Sequence, residues 1–208
     1  MNDLDKFSVL IVPGLGGSGP EHWHTFWEAA FPQFQRLQQA DWDKPDYADW
    51  AARLTAFVEK SPQPVVLVAH SLGTTLTMRW SLENPDHAKR VAGAFLVAPS
   101  DRDRFANDPD SPVQGWGNMI LKKLPFPTMV LASRDDDRVS FERAQAFADA
   151  WGAPSRFAAM IMRATRESGS PMPRQVATSI AIPSSRLPTY SFCPSGRSMT
   201  NGSPACEP

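Results

Sequence analysis

At 208 residues, with 42% apolar and 21% charged side chains, the chain suits one globular domain with a sizeable core. A formal net charge of −1 gives no electrostatic reason to bind nucleic acid or an anionic membrane surface. No apolar run approaches the roughly 18 residues of a membrane span, so no membrane partner is expected.

The opening Met1-Asn2-Asp3-Leu4-Asp5-Lys6 lacks the basic and apolar parts of a signal peptide, and Cys193 and Cys206 make no disulfide framework. A cytoplasmic protein is expected. Ser8–Val12 is an apolar run of buried-strand type that ends at Pro13-Gly14-Leu15-Gly16-Gly17. Residues 21–31 place Trp23, Phe26, Trp27 and Ala30 at spacings of three and four, which predicts a helix with these on its inner face. A short strand over Phe34–Leu37 follows. Asp46 then caps a long helix in which Tyr47, Trp50, Leu54, Phe57 and Val58 share one face. Val65–Ala69 reads as the third strand, and Leu72–Asn84 as a helix stopped by Pro85. Val91–Ala98 and Thr128–Ser133 are further strands. Only about 27 residues separate Ser100 from Pro127, too few for a large cap, so an open site is expected. Ser140 caps a last helix carrying Phe141, Ala144, Phe147, Ala148 and Trp151 on one face, and Gly152 ends it. Strands alternating with helices over short connections predict an α/β three-layer sandwich, its mostly parallel sheet covered on both sides.

The alternation stops near residue 153. Residues 154–208 contain no Asp, Trp, His or Lys and one Leu, Leu187, against ten Ser, eight Pro and six Arg. All seven tryptophans precede this stretch, which carries a net +4 and leaves −5 to residues 1–153. Phe157–Met162 suits one short strand or one helical turn. The rest lacks any sustained period, and its prolines predict a disordered tail. The expected organisation is a folded domain over 1–153, incomplete at its C-terminal end, and a tail over 154–208.

Val65-Val66-Leu67-Val68-Ala69-His70-Ser71-Leu72-Gly73 joins a predicted strand to a predicted helix through a serine set among small residues. A sharp turn of this kind exposes a nucleophilic hydroxyl, and strand and helix crowd together there, which is why small residues stand two before and two after it. The glycine-rich turn after the first strand can aim a backbone N–H at a developing oxyanion, with the Leu72 N–H as second donor. Leu15 is the first candidate and Gly16 the alternative. The same turn matches neither the P-loop nor the dinucleotide fingerprint. Asp135-Asp136-Asp137 follows the strand Thr128–Ser133, where an acid would orient an imidazole; a solvated charged loop is the alternative. A serine also needs a base to take its proton. The four histidines are His22, His24, His70 and His87, and none lies beyond residue 87. His22-Trp23-His24 has a spacing for two metal ligands but no Cys or acidic cluster beside it, so no metal and no cofactor are expected. His22 and Trp23 either line the pocket or lie on the helix surface. His70 should point away from the serine hydroxyl and His87 into solvent. None of the four is a convincing base.

Together with Val9-Leu10-Ile11-Val12-Pro13-Gly14-Leu15-Gly16-Gly17, His22-Trp23, Trp27-Glu28, Asp41-Trp42-Asp43 with Pro45-Asp46, His70-Ser71-Leu72-Gly73 and Ser133-Arg134-Asp135-Asp136, the chain resembles the small lidless serine hydrolases related to retinoblastoma-binding protein 9, in particular their bacterial branch. The likeness runs from residue 7 to about 153. It implies an α/β-hydrolase fold, Ser71 as nucleophile and Asp136 as acid, since the family's acid stands three before a Val or Leu, here Val139. The family's usual proline after the acid is Asp137 here. It also implies a further strand, a Gly-His motif carrying the base and a last helix. The sequence beyond 153 matches none of these. A shifted reading frame would produce such a break, and natural divergence is the alternative. The expected function is cleavage of a small ester or amide by a serine hydrolase that lacks its histidine. The competing expectations are a catalytically dead binding protein and a frameshifted product.

Overall fold

Among the described residues every strand runs parallel to its neighbours. β1 (Ser8–Val12), β2 (Phe34–Arg36), β3 (Val65–His70), β4 (Val91–Val97) and β5 (Thr128–Leu131) stand in the order β2-β1-β3-β4-β5. They are joined by α1 (Trp23–Ala30), α2 (Tyr47–Lys60), α3 (Leu72–Glu83), α4 (Pro85–Ala88) and α5 (Phe141–Trp151). The computed structural model describes residues 3–106 and 108–153. The sequence expectations for residues 154–208, including Phe157–Met162, lie outside the described residues. No helix among the described residues is long and apolar enough to cross a membrane.

The period of two along the strands divides the core. Leu10, Val12, Leu67, Ala69 and Leu96 face Trp50, Leu54 and Val58 of α2, Leu76 of α3 and Ala144, Phe147 and Trp151 of α5. Val9, Ile11 and Val68 point to the opposite face, where the helical side chains packed on them, Trp23 and Trp27, both come from α1. Val66 and Phe95 remain half-buried there. Among the described residues helices cover the sheet on both faces as expected, α2, α3 and α5 on one and α1 on the other. Among the described residues no strand pairs with the outer edge of β5.

The caps act as the sequence suggests. The Asp46 carboxylate accepts the Asp49 N–H at 2.8 Å and the Ser140 hydroxyl accepts the Arg143 N–H at 3.2 Å. Helix α1 departs from expectation. It starts at Trp23, Phe26 is 48% exposed, and Ala30 is also on the surface. The inner stripe is Trp23, His24 and Trp27, because the Ser18 hydroxyl, 2.9 Å from His24 Nδ1, lets an imidazole occupy a core position. β5 is shorter than Thr128–Ser133, and Pro85 opens the single turn α4 instead of only ending α3.

The segment between β4 and β5 packs down into the main core. Trp116 is fully buried, edge-on to Tyr47 and Trp50, with Nε1 donating to the Pro45 carbonyl at 2.9 Å. Trp50, Trp80, Trp116 and Trp151 are all fully buried. Each contributes at most about 4–6 kcal/mol of apolar transfer, since such rings bury 150–250 Å².

Candidate active site

β3 ends at His70 and α3 begins at Leu72, so the whole reversal falls on Ser71, whose φ is 52° and ψ −118°. A residue with a side chain adopts this only where its surroundings impose it. The Ser71 N–H donates to the Val97 carbonyl at 3.1 Å, and the Ser71 carbonyl accepts the Thr74 N–H at 3.0 Å and the Thr74 hydroxyl at 2.7 Å. The backbone is fastened while the hydroxyl caps nothing and stays partly exposed.

Crowding at the turn accounts for its small residues. A Cβ on Gly73 would stand 2.2 Å from the Val12 carbonyl oxygen, so α3 meets the end of β1 backbone to backbone. A Cβ on Gly14 would stand 2.9 Å from Ser71 Cβ and 3.2 Å from the Leu72 nitrogen. The glycine-rich turn therefore runs directly beside the serine and the first N–H of α3. The Gly16 N–H is committed to the Trp42 carbonyl at 3.0 Å and the Gly17 N–H to the Gly14 carbonyl at 3.2 Å. No acceptor among the described residues pairs with the Leu15 N–H. Of the two donors left open by the sequence, only Leu15 is unspent.

Asp136 lies in the loop after β5, at the same end of the parallel sheet as Ser71. The two residues follow strands that are not neighbours, since β4 stands between β3 and β5. Two strand spacings set them roughly 10 Å apart across the sheet. Asp136 is half-buried and accepts the Arg138 N–H at 2.8 Å, whereas Asp135 and Asp137 are exposed. The Ser133 hydroxyl donates to Asp135.

His22, His24 and His70 gather on the α1 face. The His70 ring lies 4.8 Å from His22 and 5.9 Å from His24, centroid to centroid, following the strand alternation that also turns Val68 that way. Burial, then the neighbouring His22, lowers the His70 pKa to about 3. Burial first, then His22, His70 and Arg36, lowers His24 to about 2, and burial with Arg36 lowers His22 to about 4. Bases this weak are poorly matched to deprotonating an alcohol. His22 Nδ1 caps α1 by accepting the His24 N–H at 3.2 Å, and Trp23 packs on the sheet. Neither they, Ser71 nor Asp136 lines the cleft of about 640 Å³ found between Gly17–Pro20, Arg36 and Trp42. His87 lies at the surface, where it pairs with Glu59 at 2.8 Å. Among the described residues no three His, Cys, Asp or Glu side chains are grouped to hold a metal ion.

Sequence reasoning passed over Arg36. Its Nε and Nη2 donate to the Glu28 carboxylate at 2.7 and 2.8 Å, and Nη2 also donates to the Thr25 hydroxyl at 2.8 Å. Nη1 donates to the Gly17 and Ser18 carbonyls at 3.0 and 2.7 Å. No motif announces it, because its partners are backbone oxygens and residues one helix away.

The profile of the serine hydrolase family matches residues 9–170, continuing past the composition break at 153. A YdeN-like hydrolase from Pectobacterium atrosepticum is 32% identical with a TM-score of 0.62, over 72% of this chain and 75% of that one. The ydeN product of B. subtilis, at 19% identity and TM-score 0.56 over 74% and 84% of the two chains, shares the fold. So does the type II thioesterase BorB of the borrelidin cluster, at 18% and 0.52 over 73% and 81%. No protein of curated function matches. With the strained serine turn, the parallel sheet and these likenesses together, the chain belongs to the serine hydrolase family and has the α/β-hydrolase fold.

Proposed function

We propose that this chain carries the site of a cytoplasmic carboxylesterase for small esters or amides, with its base missing. Ser71 is the nucleophile, the Leu72 and Leu15 N–H groups receive the oxyanion, and Asp136 is the acid that would orient an imidazole. The observation that carries this reading is the Ser71 turn, strained, fastened through its backbone and pressed against Gly14. The gap of roughly two strand spacings between β3 and β5 leaves room for a ring between nucleophile and acid. No metal or cofactor enters the reading.

Without a triad imidazole, only oxyanion stabilisation and binding remain, worth roughly 10³–10⁴ over water. Free imidazole added to the solution supplies the absent group. Hydrolysis of p-nitrophenyl acetate, followed with and without imidazole in the wild type and Ser71→Ala, tests the proposal. Without imidazole the two proteins should differ little; with it, a saturable rate should appear that depends on Ser71, Ser71→Ala reporting imidazole's own solution catalysis. Strong turnover without imidazole, abolished in Ser71→Ala, would reveal a base elsewhere in the chain. No rate dependent on Ser71 at any imidazole concentration would sink the esterase site.

The abrupt change of composition at residue 153 favours a second reading, a frameshifted product of a gene whose frame encodes the histidine. Translating the coding DNA in its other two frames beyond residue 150 decides it: a Gly-His motif followed by an amphipathic helix supports the shift, and its absence refutes it.

A further inference from the structure

We infer that Arg36 is the positioning residue of the oxyanion hole, holding the glycine-rich turn in the one shape that leaves the Leu15 N–H unspent beside Ser71. The inference rests on the esterase reading for its catalytic part and on geometry alone for its conformational part. Gly16, Gly17 and Ser18 have φ values of 77°, 74° and 62°, three consecutive left-handed residues of which the last is not a glycine. Such a run does not persist by itself; something must overdetermine it. Two clamps do so. Trp42 takes the Gly16 N–H on its carbonyl and stands against Gly17, where a Cβ would meet its indole at 2.8 Å. Arg36 takes the carbonyls of the other two residues, Gly17 and Ser18, on a single nitrogen.

The remaining donors of Arg36 anchor that nitrogen. Nε and Nη2 grip the Glu28 carboxylate in bidentate fashion, and Nη2 reaches the Thr25 hydroxyl, so all five N–H groups are used. A guanidinium fork does this from one rigid plane; an ammonium cannot span Glu28 and two carbonyls together. Arg36 thus ties β2 and α1 to the turn between β1 and α1. Its side chain is 16% exposed and that of Glu28 25%, which shields the pair from solvent competition. An unclamped turn would let Gly17 and Ser18 relax, rotate the Leu15 peptide and release the Gly16 N–H from Trp42. A donor displaced by about 1 Å loses much of its effect on the transition state.

The test compares the full 208-residue chain with Arg36→Lys and Arg36→Met by hydrogen exchange and by imidazole-dependent ester hydrolysis. Exchange at the Gly16 and Gly17 amides should speed up by about tenfold or more in both variants, while peptides from β3 and α3 stay protected. The imidazole-dependent kcat should fall about a hundredfold with little change in KM. Arg36→Lys keeps the charge beside Glu28, so a merely structural ion pair would be largely rescued by it. Unchanged exchange in the turn, exchange that rises evenly across the sheet, or full rescue by lysine each overturns the inference. Failure of the esterase reading shows separately, as a wild type without Ser71-dependent rate, and the exchange result then still decides whether Arg36 holds the turn.

Discussion

Acid should unfold this protein through its buried histidines, in a pH range above that of its carboxylates. His24 is fully buried, its Nδ1 is engaged with Ser18, and its Nε2 has no partner among the described residues. A proton added there would create a buried charge with no acceptor. The folded pKa values are lowered to about 2 for His24 and about 3 for His70, against an ordinary value of 6.5. A base whose folded pKa is depressed is protonated first in the unfolded chain. Stability is therefore full above about pH 6.5 and falls as pH drops below it. Each of the two contributes a slope of about 1.4 kcal/mol per pH unit, so moving from pH 7.5 to pH 5 costs about 4 kcal/mol in all. That is a large part of a typical domain stability of 5–15 kcal/mol. His22 adds to the same slope, by a smaller amount because solvent reaches it. Asp41 and Asp86 have lowered pKa values, so their linkage lies below this window. Urea midpoints at pH 7.5, 6 and 5, in wild type and His24→Gln, measure the effect. A midpoint that stays flat down to pH 5 would refute the reasoning, as would an unchanged slope in His24→Gln.

Gly73→Ala should cost about 3 kcal/mol or more, read by urea unfolding, because its Cβ would collide with the Val12 and Pro13 carbonyls and neither end can yield cheaply. Gly14→Ala should act on function before stability: its Cβ presses on Ser71 Cβ, and imidazole-dependent turnover should fall further than the urea midpoint. Asp136→Asn should remove most of the imidazole-dependent rate, and Asp135→Asn should leave it nearly intact; equal effects would move the acid assignment. Trp151→Ala should cost about 3–5 kcal/mol, since the ring is fully buried, stacks on Phe147 at 5.2 Å and donates to the Ile120 carbonyl at 2.9 Å.

The parts of this fold that local chemistry dictates were legible in the sequence. Strand β1 matches its expected limits, and Asp46 and Ser140 cap the helices they precede. The serine turn could be placed because crowding between strand and helix leaves its mark on the neighbouring residues, and Gly73 bears this out. What depends on distant partners could not be read. His24 breaks the apolar stripe of α1 only because Ser18 waits for it, and Trp116 is a core residue only because Pro45 offers it an acceptor. Arg36 looks like any strand-end arginine until both carbonyls of the turn are in place. The choice between Leu15 and Gly16 likewise needed Trp42, twenty-six residues beyond Gly16, to declare one N–H spent.

The order of elements explains why the geometry around Ser71 does not depend on the outer edge of the sheet. Ser71 and the glycine-rich turn follow β3 and β1, which lie in the interior of the sheet and are each paired on both sides. Their register is fixed by residues 8–12, 34–36, 65–70 and 91–97, and nothing beyond β5 is needed to set it. Under the proposed reading, a shift of frame after α5 would remove the element expected to carry the base and would leave the geometry around Ser71 in place. Among the described residues Val66 and Phe95 stay half-buried on the α1 face and no strand pairs with the outer edge of β5, features of the kind that favour association between chains. The backbone around Ser71 thus depends on interior strands alone, which is why external imidazole is a fair test of the proposed site.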